Sequence, residues 1–265
     1  MYNIFDMQGI QPELRRALGT LGGLAIPFGT PVNAEASTVT LTVAELAIIK
    51  VGDTVSVDDE EFARAAIAAG DEWADAATLA ALIDDVDGWA ADDDAGKVVI
   101  ERATRGVAED GSIVTIKILE DTTAGGGPTD KSTATITEET IAQLKIGDTV
   151  SFADEVFIKA TDTVVEANEF ADQAGLILCI DGLADWTAAN DSGDIDIEAA
   201  EDGTDFDGYE INVELTRVTA NGVDGTPGFR GAVCCDDSYI YVCTASDVTI
   251  QNNNWKRLDT EMEAY

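Results

Sequence analysis

The sequence predicts an α+β fold built from two tandem copies of one module, each a small antiparallel sheet with one helix on it. Three observations carry this prediction: a duplicated segment, short runs of alternating apolar and polar residues, and an apolar stripe at helical spacing. The duplication is the clearest. Lys50-Val-Gly-Asp-Thr-Val-Ser56 recurs as Lys145-Ile-Gly-Asp-Thr-Val-Ser151, a shift of 145 − 50 = 95 positions. A fixed internal shift is typical of a repeated structural unit.

The match extends well beyond this motif. Phe62 aligns with Phe157, and two added residues then lengthen the shift to 97 positions. That second shift aligns Leu79, Trp89, Gly96, Ile100 and Gly111 with Leu176, Trp186, Gly193, Ile197 and Gly208. We therefore predict an N-terminal arm (1–36), repeat 1 (37–119), a linker (120–131), repeat 2 (132–217) and a C-terminal module (218–265). The Gly-rich composition of residues 124–128 is typical of a flexible tether.

In the first half of repeat 1, short runs of alternating apolar and polar residues are separated by turn residues, a pattern typical of strands and hairpins. Residues 38–42 predict a strand, and Thr42 followed three residues later by Glu45 is a capping box that predicts a short helical turn to Lys50. Gly52-Asp53 predicts a turn. Residues 54–57 and 61–64 predict a hairpin that closes around Asp58-Asp59.

The second half of the repeat contains the predicted amphipathic helix. The helix is expected from Asp75 to about Ala91, with an apolar stripe of Leu79, Leu82, Ile83, Val86 and Trp89. A second hairpin is expected from residues 98–100 and 113–118. Repeat 2 predicts a helix over 172–189 and final strands at 195–197 and 210–215. We expect Trp89 and Trp186 to anchor the core, with sugar binding as the alternative role.

The charge is extreme and excludes some partners. The chain carries 52 acidic and 15 basic residues, a formal charge of −37. Nucleic-acid binding through phosphates needs clustered Lys and Arg, so we expect no nucleic-acid partner, and anionic membranes are disfavoured. No apolar run approaches the roughly 20 residues of a membrane-spanning helix. The acidity is interpreted either as a solubility device or as adaptation to a halophilic habitat, where salt screens the self-repulsion.

The N-terminal arm differs from the rest because its charges cancel. Asp6 and Glu13 balance Arg15 and Arg16 over residues 1–34. A short helix is expected over 11–18, followed by an irregular path rich in Gly and Pro. The apolar residues of the arm must be buried on the repeats or on a partner. They are the first interface candidates: Ile4, Phe5, Leu14, Leu18, Leu21, Leu24, Ile26 and Phe28.

The residue inventory gives no catalytic, cofactor-binding or metal-binding prediction. The chain has no His, so neither a Ser/His/Asp nor a Cys/His arrangement can form. Cys179 lies in an apolar run, and Cys234, Cys235 and Cys243 lack the spacing of a zinc site, which favours packed thiols. The acidic clusters at 92–94 and 202–208 do not have the ligand spacing of a calcium loop. A pair of glycosidase carboxylates stays open, although no two acids are singled out.

The C-terminal module carries a family resemblance. It reads Gly225-Thr-Pro-Gly228, then an apolar strand, Tyr239-Ile-Tyr-Val-Cys243, and finally Trp255-Lys-Arg257. This pattern resembles a small terminal module of tailed-phage virion proteins, and the repeats look similar to α+β modules of phage structural proteins. Tyr239 and Tyr241 share a strand face on which Trp255 can stack, which makes these three residues further interface candidates.

The resemblance implies a structural role in a tailed virus and no enzymatic activity. It implies a head decoration or fibre protein, made in the host cytoplasm and located on the head surface of the virion. The partners would be the major capsid protein or other virion proteins, docked through the N-terminal arm, and further copies of the chain, with a trimer expected. No cofactor is implied. The alternative is a tail-associated or surface adhesin that binds carbohydrate through the C-terminal aromatic residues.

Overall fold

The computed structural model describes residues 34–123, 129–161, 168–222, 232–235, 240–244 and 254–258. The predicted α+β class is confirmed, because these residues form mostly antiparallel sheets with short helices. Two compact units divide the chain. One unit contains residues 39–101 and 111–219, and the other contains residues 1–38, 102–110 and 220–265.

The elements follow the same order in each repeat. Those of repeat 1 are β1 (Ala36–Leu41), α1 (Val43–Ile48), β2 (Thr54–Val57), β3 (Glu60–Arg64), β4 (Glu72–Trp73), α2 (Ala76–Asp84), β5 (Trp89–Asp94), β6 (Lys97–Arg105), a 3₁₀ turn (Val107–Glu109) and β7 (Ile113–Asp121). Those of repeat 2 are β8 (Thr133–Ile136), α3 (Glu138–Gln143), β9 (Thr149–Phe152), β10 (Glu155–Lys159), β11 (Glu169–Phe170), α4 (Gln173–Asp181), β12 (Trp186–Asp191), β13 (Asp194–Ala199) and β14 (Glu210–Val218).

The two repeats share one large sheet. Its eight strands lie in the order β11-β10-β9-β14-β7-β2-β3-β4, so repeat 2 occupies one half and repeat 1 the other. The halves meet at β7 and β14, which pair antiparallel over nine residues each. Two three-stranded sheets, β1-β6-β5 and β12-β13-β8, accompany it. A single cluster of buried apolar residues draws members from both repeats, including Leu79, Ile116, Leu176 and Val213.

Local sequence explains the elements that were predicted correctly. Thr42 caps α1, and its side chain and that of Glu45 exchange hydrogen bonds with each other's backbone N–H as the capping box predicts. The hairpin of β2 and β3 turns at Asp58, whose φ of 49° lies in the left-handed region where Asp is tolerated. Asp75 caps α2, so the predicted start of that helix is also confirmed.

Two predictions about the second half of the repeat are wrong. Helix α2 ends at Asp84 and not near Ala91, and α4 ends at Asp181 and not near Ala189. Gly88, with φ of 83°, cannot continue a helix, and Trp89 instead begins β5. The predicted second hairpin does not form either. Strand β6 lies between β1 and β5, whereas β7 pairs with β2 and β14 in the large sheet.

The C-terminal module contributes a separate three-stranded sheet. Its strands are β15 (Val233–Cys235), β16 (Ile240–Cys243) and β17 (Trp255–Leu258), in that order. Cys243 lies opposite Trp255, and Cys234 lies opposite Tyr241. Cys234, Cys243 and Trp255 are buried together, and Tyr241 packs against them. The residues of this sheet therefore form a small core of their own.

Candidate functional site

The repeated Gly-Asp motif forms a turn that ties each repeat to the centre of the large sheet. The Asp53 carboxylate accepts hydrogen bonds from the backbone N–H of Lys50 (2.5 Å) and of Leu119 in β7 (2.9 Å). Asp148 repeats this geometry with the N–H groups of Lys145 (2.6 Å) and Thr216 in β14 (2.8 Å). Both carboxylates are almost fully buried. The motif thus recurs because each copy needs a buried acceptor for two backbone donors.

The strand register reveals a local two-fold axis between the repeats. Lys117 of β7 lies directly opposite Glu214 of β14. These positions differ by 214 − 117 = 97, which is the shift that relates the repeats in this region, so each residue faces its own equivalent. Val55 also faces Ile116 as Val150 faces Val213. The axis therefore passes between Lys117 and Glu214, and the repeats are arranged like the two subunits of a symmetric dimer.

A buried charge cluster lies beside this axis and joins the repeats. The Arg217 guanidinium of β14 donates to Glu45 of α1 through Nε (2.5 Å) and to both carboxylate oxygens of Asp148 through one terminal nitrogen (3.0 and 3.1 Å). Its other terminal nitrogen donates to the carbonyl of Gln143 (2.9 Å). Lys145 Nζ donates to the same Glu45 oxygen (2.9 Å). Glu45, Asp148 and Arg217 are buried, whereas the Lys145 side chain is 59% exposed. The formal charges of these two acids and two bases cancel, which favours burial of the first three.

Hydrogen bonds determine the ionisation of Glu45. Burial of this carboxyl raises its pKa, but the N–H of Thr42, the guanidinium of Arg217 and the ammonium of Lys145 more than offset burial and lower the pKa to about 2. The side chain has no exposed surface. Glu45 is therefore ionised at neutral pH, and its oxygens are already engaged by donors from both repeats.

The site that the local axis relates to this charge cluster contains different residues. Thr140 stands where repeat 1 has Glu45, and Glu120 stands where repeat 2 has Arg217. Lys50 and Glu120 form an ion pair there, and the Lys50 side chain is 53% exposed. Burial and the nearby Glu120 raise the pKa of Asp53, against the lowering effect of its two backbone donors. One side of the axis thus holds a neutral cluster around the 5% exposed Arg217, and the other has the 21% exposed Glu120 in that place and carries a net negative charge.

A shallow groove lies between the two short helices α1 and α3. Its volume is about 630 Å³. Its walls come from equivalent residues of the two helices and are mostly apolar, with Lys50, Glu138 and Glu139 among the lining residues.

The recurring tryptophans belong to the core, as predicted. Trp89 and Trp186 are both 3% exposed. The Trp89 indole N–H donates to Asp58 (2.7 Å), whereas Trp186 lies within an aromatic group of Phe152, Phe206 and Tyr209. The alternative role in sugar binding would need an accessible ring, and neither ring is accessible.

Most interface candidates from the sequence lie outside the described residues. These are Ile4, Phe5, Leu14, Leu18, Leu21, Leu24, Ile26, Phe28 and Tyr239, and the predicted tether at 124–128 is outside them too. Trp255 is 7% exposed and packs with Cys243, while Tyr241 is half-buried beside them. Cys179 is also half-buried, and burial raises the pKa of its thiol. Within the described ranges, no helix is long and apolar enough to cross a membrane, and no group of three potential metal ligands occurs.

The charge cluster was not predicted from the sequence, although a signal for it exists. Aligning the repeats shows that several charged positions change character between copies, among them Glu45 to Thr140, Arg217 to Glu120 and Lys117 to Glu214. A contact between copies is one cause of such a difference, but exposed positions such as Glu61 and Val156 differ in the same way. The contact itself requires the β7–β14 pairing, which the alternation of residues does not specify.

Comparisons with known proteins add no relative to this description. No protein-family model, no curated protein and no solved structure matches the chain.

Proposed function

We propose that the chain is a non-enzymatic structural protein of a tailed virus particle, attached to the capsid through its N-terminal arm. The observation that supports this most directly is the use of the repeated residues. Gly52-Asp53 and Gly147-Asp148 form turns that hold the central strands, and Trp89 and Trp186 fill the core. The residues that recur in both copies therefore have structural roles, which is expected if the duplication copied a scaffold. The most prominent buried ionic groups, Glu45, Asp148 and Arg217, are likewise fully engaged with one another.

The ends of the chain supply the second line of support. The C-terminal Gly225-Thr-Pro-Gly228 and Tyr239-Ile-Tyr-Val-Cys243 pattern resembles virion proteins of tailed phages. The arm is neutral and apolar in a chain of charge −37, so it is the segment best suited to contact a protein shell. In this proposal the acidic repeats face solvent on the head surface, and the chain acts as a symmetric oligomer, with a trimer as the expected state.

Mass spectrometry of purified virions tests the location. The chain should be detected in intact particles at a copy number consistent with a surface component, and its absence from particles would refute the proposal. Native mass spectrometry of the isolated protein separately tests the trimer. A monomer at micromolar concentration would contradict that part alone.

Deleting residues 1–34 tests the docking role of the arm. The truncated protein should keep its folded repeats, shown by an unchanged urea midpoint, but should no longer bind particles that lack the wild-type protein. A matched pair separates apolar contact from chain length: Leu14→Ser with Leu18→Ser should abolish binding, whereas Leu14→Met with Leu18→Met should retain it. Full occupancy by the truncated protein would contradict arm-mediated docking.

The carbohydrate-binding alternative requires an accessible aromatic platform. Trp255 is buried against Cys243, and this counts against it as a sugar-stacking residue. A glycan array with the folded protein is the direct test. Binding that disappears on Trp255→Ala, with the fold intact, would favour the adhesin over the capsid protein.

A further inference from the structure

We propose that the face formed by β7 and α1 of repeat 1 is a recognition surface that accepts repeat 2 and rejects a second repeat 1. The repeats would then pair only as 1 with 2, whether both belong to one chain or come from two neighbouring copies. Two separate charge arrangements on the β7–β14 junction lead to this inference.

The first arrangement is the central pair of the ladder. Lys117 and Glu214 face each other across the local axis, and both are half-buried. A symmetric pair of two repeats 1 would place Lys117 opposite a second Lys117, and a pair of two repeats 2 would place Glu214 opposite a second Glu214. Opposite charges directly across a strand pair are favourable and like charges are unfavourable. Only the mixed pair is complementary at the axis.

The second arrangement is the buried cluster. Glu45 of repeat 1 is neutralised by Arg217 and Lys145, which both come from repeat 2. If a second repeat 1 took the place of repeat 2, Glu120 would stand where Arg217 now stands. Lys50 would stand where Lys145 now stands, so the cluster would hold three acids, Glu45, Asp53 and Glu120, and one base. Burying carboxylates without their main cation is strongly unfavourable, so this combination is excluded more firmly than the central pair alone would exclude it.

A pair of two repeats 2 fails for the complementary reason. Thr140 would stand where Glu45 now stands, so Arg217 and Lys145 would both lose their shared carboxylate. Arg217 would keep Asp148 as a partner, and the cluster would carry excess positive charge. The mixed pair alone cancels both the central charges and the buried ones. In an assembly of many copies, this selectivity keeps exchanged repeats in the alternating order 1-2-1-2.

The experiment uses the full chain with a protease site placed at residues 124–128, cut after folding. Light and heavy isotope preparations of the cut protein are mixed in moderate urea, diluted, and weighed by native mass spectrometry. We expect light repeat 1 with heavy repeat 2 and the reverse, with homotypic pairs at least about tenfold rarer. Homotypic pairs as abundant as mixed pairs, or fragments with no affinity for each other, would overturn the proposal.

Two variants locate the selectivity. Arg217→Glu gives repeat 2 the charge of repeat 1, and should weaken the mixed pair by about a hundredfold or more. Because this variant is at risk of not folding, the central pair is tested in the uncut chain. Lys117→Glu should lower the urea midpoint, and the double variant Lys117→Glu with Glu214→Lys should restore most of it. A double variant as unstable as the single one would show that charge complementarity does not select the partner.

Discussion

Among single residues, Arg217 has the largest predicted effect on stability. It is 5% exposed and neutralises two buried carboxylates, Glu45 and Asp148. Arg217→Met should lower the free energy of unfolding by about 3–5 kcal/mol, because both acids would stay buried without their main cation. The matched control is Lys50→Met, which breaks an exposed ion pair with Glu120 and should cost under about 1 kcal/mol. Urea unfolding at pH 7 measures both, and equal losses would contradict the assigned role.

The lowered pKa of Glu45 predicts how the free energy of unfolding depends on pH. Its pKa is about 2 in the folded chain against 4.5 for an unperturbed glutamate, so folding favours the ionised form. That stabilisation is fully present above about pH 4.5 and is lost as the pH falls toward 2, a contribution of up to about 3 kcal/mol. Asp53 acts in the opposite direction, because its raised pKa means that its ionisation opposes folding.

The test compares wild type with Glu45→Gln across pH 2 to 7. The variant should be less stable at pH 7, and it should lose less stability than the wild type on acidification over this range. Parallel pH profiles for the two proteins would show that Glu45 does not titrate between the folded and unfolded states as described.

Among the elements, the two short helices beside the axis give a comparison within one molecule. Thr42 caps α1 with a reciprocal capping box and also donates to Glu45 (2.9 Å), whereas Thr137 caps α3 with a longer N–H contact (3.3 Å). Thr42→Ala should cost about 1–2 kcal/mol and Thr137→Ala about 0.5–1 kcal/mol in urea unfolding. A loss from Thr137→Ala that equals or exceeds the other would contradict the link between the cap and the charge cluster.

The elements also show why sequence alone predicted part of this fold. Capping boxes and the Asp58 turn depend on neighbours within four residues, so the starts of α1 and α2 and the first hairpin were predicted correctly. The apolar residues from Leu79 to Trp89 keep helical spacing beyond Asp84, where the helix ends. Spacing alone therefore did not reveal that the backbone leaves the helical conformation before Gly88. The assignment of β6 and β7 to different sheets depends on pairings between distant segments, which alternation does not encode.

The same limit applies to the site. The recurring Gly-Asp motif was visible in the sequence, but its structural role was not. The two Asp carboxylates accept hydrogen bonds from the backbone N–H groups of Leu119 and Thr216, which lie in distant strands. The charge cluster unites Glu45, Asp148 and Arg217 across 172 positions, a contact that only the paired strands create. The interface candidates on the arm and at Tyr239 stay predictions.

Considered as a whole, the molecule carries a charge of −37 that its fold must tolerate. Much of this charge lies on the repeats, including three exposed acids in succession, Asp92, Asp93 and Asp94. Like charges at this density repel one another more strongly in the compact state than in the unfolded chain. Added salt shortens the range of that repulsion from about 10 Å at 0.1 M to about 3 Å at 1 M.

The melting temperature should therefore rise as NaCl increases from about 0.1 M to about 2 M, most steeply at the lower concentrations where the screening length changes most. The triple variant Asp92→Asn, Asp93→Asn, Asp94→Asn removes three charges and keeps the side-chain size, so its melting temperature should depend less on salt. Sucrose at matched osmolality separates screening from general stabilisation of the compact state, because it screens no charge and should affect both proteins equally. A wild-type melting temperature that does not change with NaCl would refute the saline interpretation of the acidity.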